Sequence, residues 1–239
     1  MNIKQTLDCV LNFFFPPRCE SCDCVLEKDS LALCPDCRAA WENEKRETCR
    51  HCGKPHVFCD CMIEDYRYFH LLPYHPSGFE SVSRNLILHA KERASRYLIR
   101  FEAKELASLL RSRGVLSHAY VISFVPRSHT SVLEHGFDQS ELLAKALAAE
   151  LDFEYAPLLT HEGNTKQKTL TANARVANAD ESYILDADRA FYARGKRIIL
   201  LDDVVTTGAS MLACAKQLRR AGAAEVVLLS LARTASSTK

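Results

Sequence analysis

The sequence predicts a parallel-sheet α/β domain preceded by a small cysteine-rich domain. Apolar runs of strand length alternate with helical periodicities from residue 119 onward, which is the pattern of a parallel sheet with crossover helices. Ten of the eleven cysteines lie between Cys9 and Cys61. A chain of 239 residues is long enough for one full α/β domain and something smaller. The expected division is residues 1–68 for the cysteine-rich part and 69–239 for the α/β domain.

Ile3, Leu7, Val10, Leu11 and Phe14 recur at helical spacing and predict a short amphipathic helix. Only Lys4 precedes the apolar run of residues 7–15 and no small-residue cleavage site follows it, so a secretory leader is not expected. No stretch approaches the ~18 apolar residues of a membrane span. Residues 79–118 read as helices, with Leu86, Ile87, Leu98, Phe101, Leu106, Leu109 and Leu110 at helical intervals. Residues 120–125 form a buried strand ended by Pro126, and residues 140–151 an alanine- and leucine-rich helix. Residues 163–180 lack any apolar stretch and are expected to be a mobile loop. A second buried strand follows at 198–201, a helix at 210–220 closed by Gly222, and a third strand at 225–232. In such a sheet, ligands sit beyond the carboxyl ends of the strands.

The net charge of +1 gives no overall field that would attract nucleic acid or membrane, so any such binding needs a local patch. Confining the cysteines to one end argues against disulfides spread through the fold. It implies a reducing, cytoplasmic setting in which paired thiols hold metal. Cys19-x2-Cys22 and Cys34-x2-Cys37 are two knuckles separated by eleven residues, a full set of thiolates for a tetrahedral zinc ion. Cys49-x2-Cys52 is a third knuckle, and its partner Cys59-x-Cys61 is one residue short. His51 and His56 stand as alternative fourth ligands there, and Cys24 is spare. Neither set leaves a position open to water, so one or two structural Zn2+ ions are expected.

The segment from Arg197 to Ser210 is the most informative. A buried strand delivers two adjacent carboxylates, Asp202 and Asp203, to its carboxyl end, and Val204, Val205, Thr206, Thr207, Gly208, Ala209 and Ser210 follow. Hydroxyls donate hydrogen bonds, glycine lets the backbone approach a ligand, and the helix that begins there attracts phosphate. The paired acids suit sugar hydroxyls or hydrated Mg2+. No lysine follows the glycine as a P-loop requires, and there are no repeated glycines as a dinucleotide fold requires.

This segment closely resembles the 5-phosphoribosyl-1-pyrophosphate (PRPP) signature of type I phosphoribosyltransferases. The whole chain resembles the competence protein F family, which couples a double zinc ribbon to a Rossmann-like phosphoribosyltransferase domain. Supporting stretches are Phe15-Pro16-Pro17-Arg18-Cys19, Leu33-Cys34-Pro35-Asp36-Cys37-Arg38, Lys91, Val125-Pro126-Arg127, Glu134-His135-Gly136-Phe137-Asp138-Gln139, and Gln167-Lys168-Thr169-Leu170 with Arg175 and Asn178. The departures are Asp138 where the family has Asn more often, a mobile loop with fewer basic residues, and Cys59-x-Cys61.

The resemblance implies that residues 204–210 hold the 5′-phosphate of PRPP and that Asp202 and Asp203 position ribose hydroxyls. It implies further that Arg127 and Lys91, with Lys168 or Arg175, neutralise pyrophosphate bridged by Mg2+. Three functions follow from it: a factor in DNA uptake during natural transformation, an active phosphoribosyltransferase on an unknown nitrogenous acceptor, or a catalytically silent PRPP sensor. Single-stranded DNA and other uptake-machinery proteins are the implied partners. The basic stretch Lys91, Arg93, Arg96, Arg100 and Lys104 is interrupted by Glu92, Glu102 and Glu105, and reads as a solvated amphipathic face. Tyr66, Tyr68 and Phe69 read as core at a domain junction, and Cys214 as a buried thiol. Residues 233–239 form only a polar tail, so any hood over the acceptor is expected from the zinc module. No base-recognition set is legible there.

Overall fold

The computed structural model describes residues 16–26, 32–75, 81–162 and 182–234. The expected helix at residues 3–14 and the expected loop at 163–180, with Gln167, Lys168, Arg175 and Asn178, lie outside the described residues.

Pro35 occupies the first turn of α1 (Pro35–Lys45), where its missing N–H costs nothing, and Trp41 is the one buried residue of this helix. After a single 3₁₀ turn (His56–Phe58), β1 (Met62–Ile63) doubles back into β2 (Tyr66–Tyr74). Helices α2 (Val82–Glu92) and α3 (Arg96–Ser112) begin at Ser81 and Ser95, whose side chains accept from the amides of Arg84 and Leu98. Next come β3 (Val121–Phe124), α4 (His129–His135), α5 (Gln139–Leu151) and β4 (Glu154–Tyr155). The pair β5 (Thr160–His161) and β6 (Tyr183–Ile184) is antiparallel and stands apart from the main sheet. The chain continues through α6 (Ala187–Ala193), β7 (Arg197–Val205), α7 (Ala209–Arg220) and β8 (Glu225–Thr234).

Among the described residues the main sheet has the order β1-β2-β8-β7-β3-β4 and is parallel except for β1. One face is covered by α2, α3 and α5, whose Leu86, Leu98, Leu106, Leu110, Leu143 and Leu147 are fully buried against Ile122, Ile199, Leu201 and Leu229. Each such leucine contributes about 1.5–3 kcal/mol relative to exposure. On the other face, Met211, Cys214 and Leu218 of α7 pack on Ile198, Leu200 and Leu228. Cys214 is the buried thiol that the sequence suggests.

Two of the elements that the sequence did not disclose shape the architecture. The strand β2 is central to the architecture, pairing with β8 along Tyr68↔Leu228 to Tyr74↔Thr234. It runs straight through the expected boundary at 68/69, because the β1–β2 hairpin joins the cysteine-rich module to the sheet by continuous backbone pairing. Tyr68 and Phe69 are core residues here. The helix α1 is the other, and it docks through carboxylates. Glu44 accepts from the amides of Val82 and Ser83 at 2.7 and 2.9 Å, satisfying donors at the start of α2. Glu105 of α3 accepts from Trp41 Nε1 at 3.0 Å and from Lys45 and Arg38, both at 2.8 Å. The acidic residues of α3 are therefore not a solvated face: Glu105 is an anchor and Glu102 is completely buried.

Candidate functional site

Pairing of β7 with β3 and β8 brings Asp202 and Asp203 to the carboxyl end of the sheet, in register with Ser230 and just beyond the Phe124↔Leu201 pair. Asp203 is buried, yet two cations reach it. Arg127 lies at 2.7 Å from its Oδ2, and Lys91, near the end of α2, at 3.9 Å. Three segments distant in sequence thus meet on one carboxylate.

Asp138 organises this meeting. It caps α5 by accepting from the amides of Ser140 and Glu141, and its other oxygen accepts from the amide of Arg127 at 2.8 Å. Burial raises its pKa, opposed by those amide donors and by Arg127. Ser140, two residues on, donates to Asp202 Oδ1 at 3.2 Å and accepts from the amide of Asp203 at 3.2 Å. The Asp202 carboxyl is pushed well above the ordinary 3.8, first by burial and then by the neighbouring Asp203. Two adjacent acids of which only one is matched by cations suit a ligand that brings hydroxyls or a metal ion.

Beyond β7, Thr206 and Thr207 are exposed, and Thr207 Oγ1 accepts from the amide of Ala209. Gly208 has φ +81, a left-handed conformation natural to glycine. The N-cap residue of α7 is Gly208, which has no side chain to cap the helix, so apart from the Ala209 amide bonded to Thr207 the first amides of α7 have no side-chain cap. Ser210 contacts the Tyr183 hydroxyl. The space around Gly208 is closed on one side by Ile63, because a Cβ there would lie 3.3 Å from Ile63 Cδ1. Part of the cysteine-rich module thus packs on the turn.

Sequence reasoning missed Glu102. It is fully buried with neither oxygen paired, and burial, then Asp203 and Glu20, push its pKa well up. Its spacing on α3 matched the apolar positions Leu98, Leu106 and Leu109, which is the signal that marked it as inward-facing.

The cysteines form two clusters. In the first, the sulfurs of Cys19, Cys22, Cys24 and Cys34 lie within 4.8 Å of one another, and Cys37 contacts those of Cys22 and Cys34. Cys24 therefore joins the cluster instead of standing apart. In the second, Cys49, Cys52, Cys59 and Cys61 lie within 4.8 Å, with neighbouring sulfurs 3.1–3.8 Å apart. Four thiolates bound at ~2.3 Å around one tetrahedral zinc stand ~3.8 Å apart, so both clusters fit that ion. The short Cys59-x-Cys61 spacing does not keep these sulfurs from converging. His51 stays out of the clusters, whereas His56 lies with Cys49 and His70 in a third group of ligand atoms within 4.8 Å.

The fold and these clusters define a class: a phosphoribosyltransferase-type domain joined to a zinc ribbon. A phosphoribosyl transferase domain family matches residues 138–239, and a double zinc ribbon domain family matches residues 10–66. Competence protein ComFC of Streptococcus pneumoniae is 27% identical over 236 residues, 96% of this chain and 97% of that protein. DNA utilization protein YhgH of Escherichia coli is 26% identical over 229 residues, 92% of this chain and 98% of that protein. Among solved structures, adenine phosphoribosyltransferase from Thermoanaerobacter pseudethanolicus is similar at 17% identity and a TM-score of 0.39, covering 68% of this chain and 93% of that one. The chain thus couples a double zinc ribbon to a phosphoribosyl transferase domain, and over most of its length it is similar to the competence and DNA utilization proteins just named. Among the described residues no helix is long and apolar enough to cross a membrane.

Proposed function

We propose that the chain binds PRPP with Mg2+ beyond the carboxyl end of β7. The observation that carries this reading is the convergence of Lys91 and Arg127 on Asp203, beside the hydroxyl-rich turn at residues 206–210. In this reading Thr206, Thr207 and Ser210, with the amides of Val204, Val205, Gly208 and Ala209, receive the 5′-phosphate. Asp202 and Asp203 orient ribose hydroxyls. Arg127 and Lys91 swing from Asp203 onto the pyrophosphate. When bound, Mg2+ supplies charge that offsets the pyrophosphate oxygens. Ribosyl transfer would then demand positioning above all, since the C1–pyrophosphate bond breaks as a nucleophile attacks the opposite face. An active transferase and a silent PRPP sensor share this ligand and differ in turnover. The test is PRPP binding by calorimetry together with PRPP–pyrophosphate turnover, with and without Mg2+, for wild type and Asp202→Ala/Asp203→Ala. Binding abolished by the double variant, with no turnover in either protein, selects the sensor. No binding by wild type overturns the reading.

Structural zinc is assigned to Cys19, Cys22 and Cys34 with Cys37 or Cys24 as the fourth ligand, and to Cys49, Cys52, Cys59 and Cys61. None of the ten described cysteines is in a disulfide, which supports a cytoplasmic setting.

A second reading, handling of single-stranded DNA during uptake alongside other uptake proteins, rests on the names of the relatives and on one surface. Arg93, Arg96, Arg100 and Lys104 are exposed, and Tyr97, Phe101, Arg100 and Lys104 line a groove of about 260 Å3. Aromatic faces among cations suit stacked bases and phosphates. Arg100→Ala/Lys104→Ala should weaken binding of an oligonucleotide and flatten its salt dependence. Unchanged binding would remove this surface from the reading.

A further inference from the structure

The second cysteine cluster and the ends of β2 and β8 enclose a cavity of about 210 Å3. Its wall includes Arg233, Thr234, Pro73, His51, His56 and His75. In the sheet, Arg233 pairs with Val205 on one side and Pro73 on the other. The cavity therefore opens at the same sheet end as the phosphate turn, one strand away.

Arg233 is a cation without a counter-ion. Its guanidinium lies 5.2 Å over the Tyr68 ring, and its Nε and Nη1 are buried with no hydrogen-bond partner. Among the described residues no carboxylate pairs with it. The acid in the wall, Glu47, is taken by His75 at 3.5 Å. Thr234 Oγ1 and His56 Nδ1 are likewise buried and unpaired. Leaving a fork of buried donors unmatched is costly, and a planar or tetrahedral oxyanion is the group that matches it. Ligand pockets for larger molecules run to ~300–1,000 Å3, so this cavity holds a single small ring or one charged group.

We propose that this cavity binds the oxyanion group, carboxylate or phosphate, of a small ligand, gripped by Arg233 with Thr234 and His56. The binding itself stands alone. Naming its ligand as the ribosyl acceptor rests on the PRPP reading of residues 202–210.

The test uses the full, zinc-loaded chain and calorimetry with pyridine-3-carboxylate, its amide, and inorganic phosphate, with PRPP titrated separately. Wild type should bind the carboxylate or phosphate but not the amide. Arg233→Gln should weaken that binding by about tenfold or more, and Arg233→Lys, which keeps charge but loses the fork, should fall between. Both variants should bind PRPP as wild type does. Phosphate binding lost in Arg233→Gln but kept in Thr206→Ala/Thr207→Ala assigns phosphate to the cavity instead of the turn. The proposal is overturned if neither oxyanion binds, if Arg233→Gln binds as wild type, or if only a 5′-phosphorylated oligonucleotide responds. Arg233-dependent binding without any PRPP affinity keeps the cavity and discards the PRPP reading; the reverse result does the opposite.

Discussion

The two cysteine clusters use the same thiol chemistry but end on opposite faces of the sheet. Cys19 and Cys34 join the core that includes Trp41, Leu86 and Leu98, and α1 fixes this arrangement on α3 through Glu105. Cys49, Cys59 and Cys61 join the core of the α7 face, together with Ile63, Val205 and Met211. The first cluster clamps helices on the face opposite α7. The second forms a wall of the ligand end, through Ile63 against Gly208 and through the cavity at Arg233. A repeated metal module thus divides into a clamp and a wall according to the face on which it lands.

The largest expected effect separates the clusters directly. Structural zinc contributes ~10–16 kcal/mol to small ribbons, so losing a ligand should release one metal equivalent in either cluster. Cys49→Ser should also abolish PRPP binding, whereas Cys22→Ser should lose zinc and melt earlier with PRPP affinity kept. Metal analysis with calorimetry on each variant decides it, and equal effects on PRPP would erase the distinction. The clamp is broken next by Glu105→Ala, which leaves the Trp41 indole N–H unmatched and Lys45 with Glu42 alone, and should cost about 1–3 kcal/mol in urea unfolding. PRPP affinity should not move.

The wall side is sharpened by Arg127→Ala, which removes the 2.7 Å pair with Asp203. PRPP affinity should fall about 10–100-fold, the equivalent of ~1.4–2.7 kcal/mol, with little change in melting temperature. The smallest effect concerns Glu102. It is neutral when folded because burial, Asp203 and Glu20 raise its pKa above 4.5, whereas unfolded it ionises near 4.5. Stability from this group is therefore complete below the unfolded value and is lost as pH rises toward the folded one. Glu102→Gln should melt a few degrees above wild type at pH 8, about what ~1 kcal/mol shifts in a chain this size, and the gap should close toward pH 4.5. A constant gap across pH would show that Glu102 is not held neutral.

The sequence disclosed some of this more readily than the rest, for physical reasons. The segment at 197–220 was legible because a buried parallel strand, paired acids, a hydroxyl turn and a helix each leave their own local signature. The strand β2 did not, since His70, Pro73 and three tyrosines interrupt the apolar run, and only tertiary pairing with β8 makes them core. Helix α1 was hidden by its charge, because it docks through Glu44, Lys45 and Trp41 and not through an apolar stripe. The cysteine spacings foretold convergence, but not that Cys24 would join the first group. Arg233 was set aside as part of a polar tail; it is the penultimate residue of β8.

The hairpin of β1 and β2 has one more consequence. Open sheets are vulnerable at their borders, where unpaired amides and carbonyls invite another chain to add a strand. Here β2 lies next to that border, largely buried, and its first residues are covered by the two-residue strand β1, which pairs with Tyr66 and Arg67 directly after Cys59 and Cys61. A chain that loses its second ribbon would uncover a long aromatic template for self-association. By this route metal starvation would turn a folding defect into aggregation.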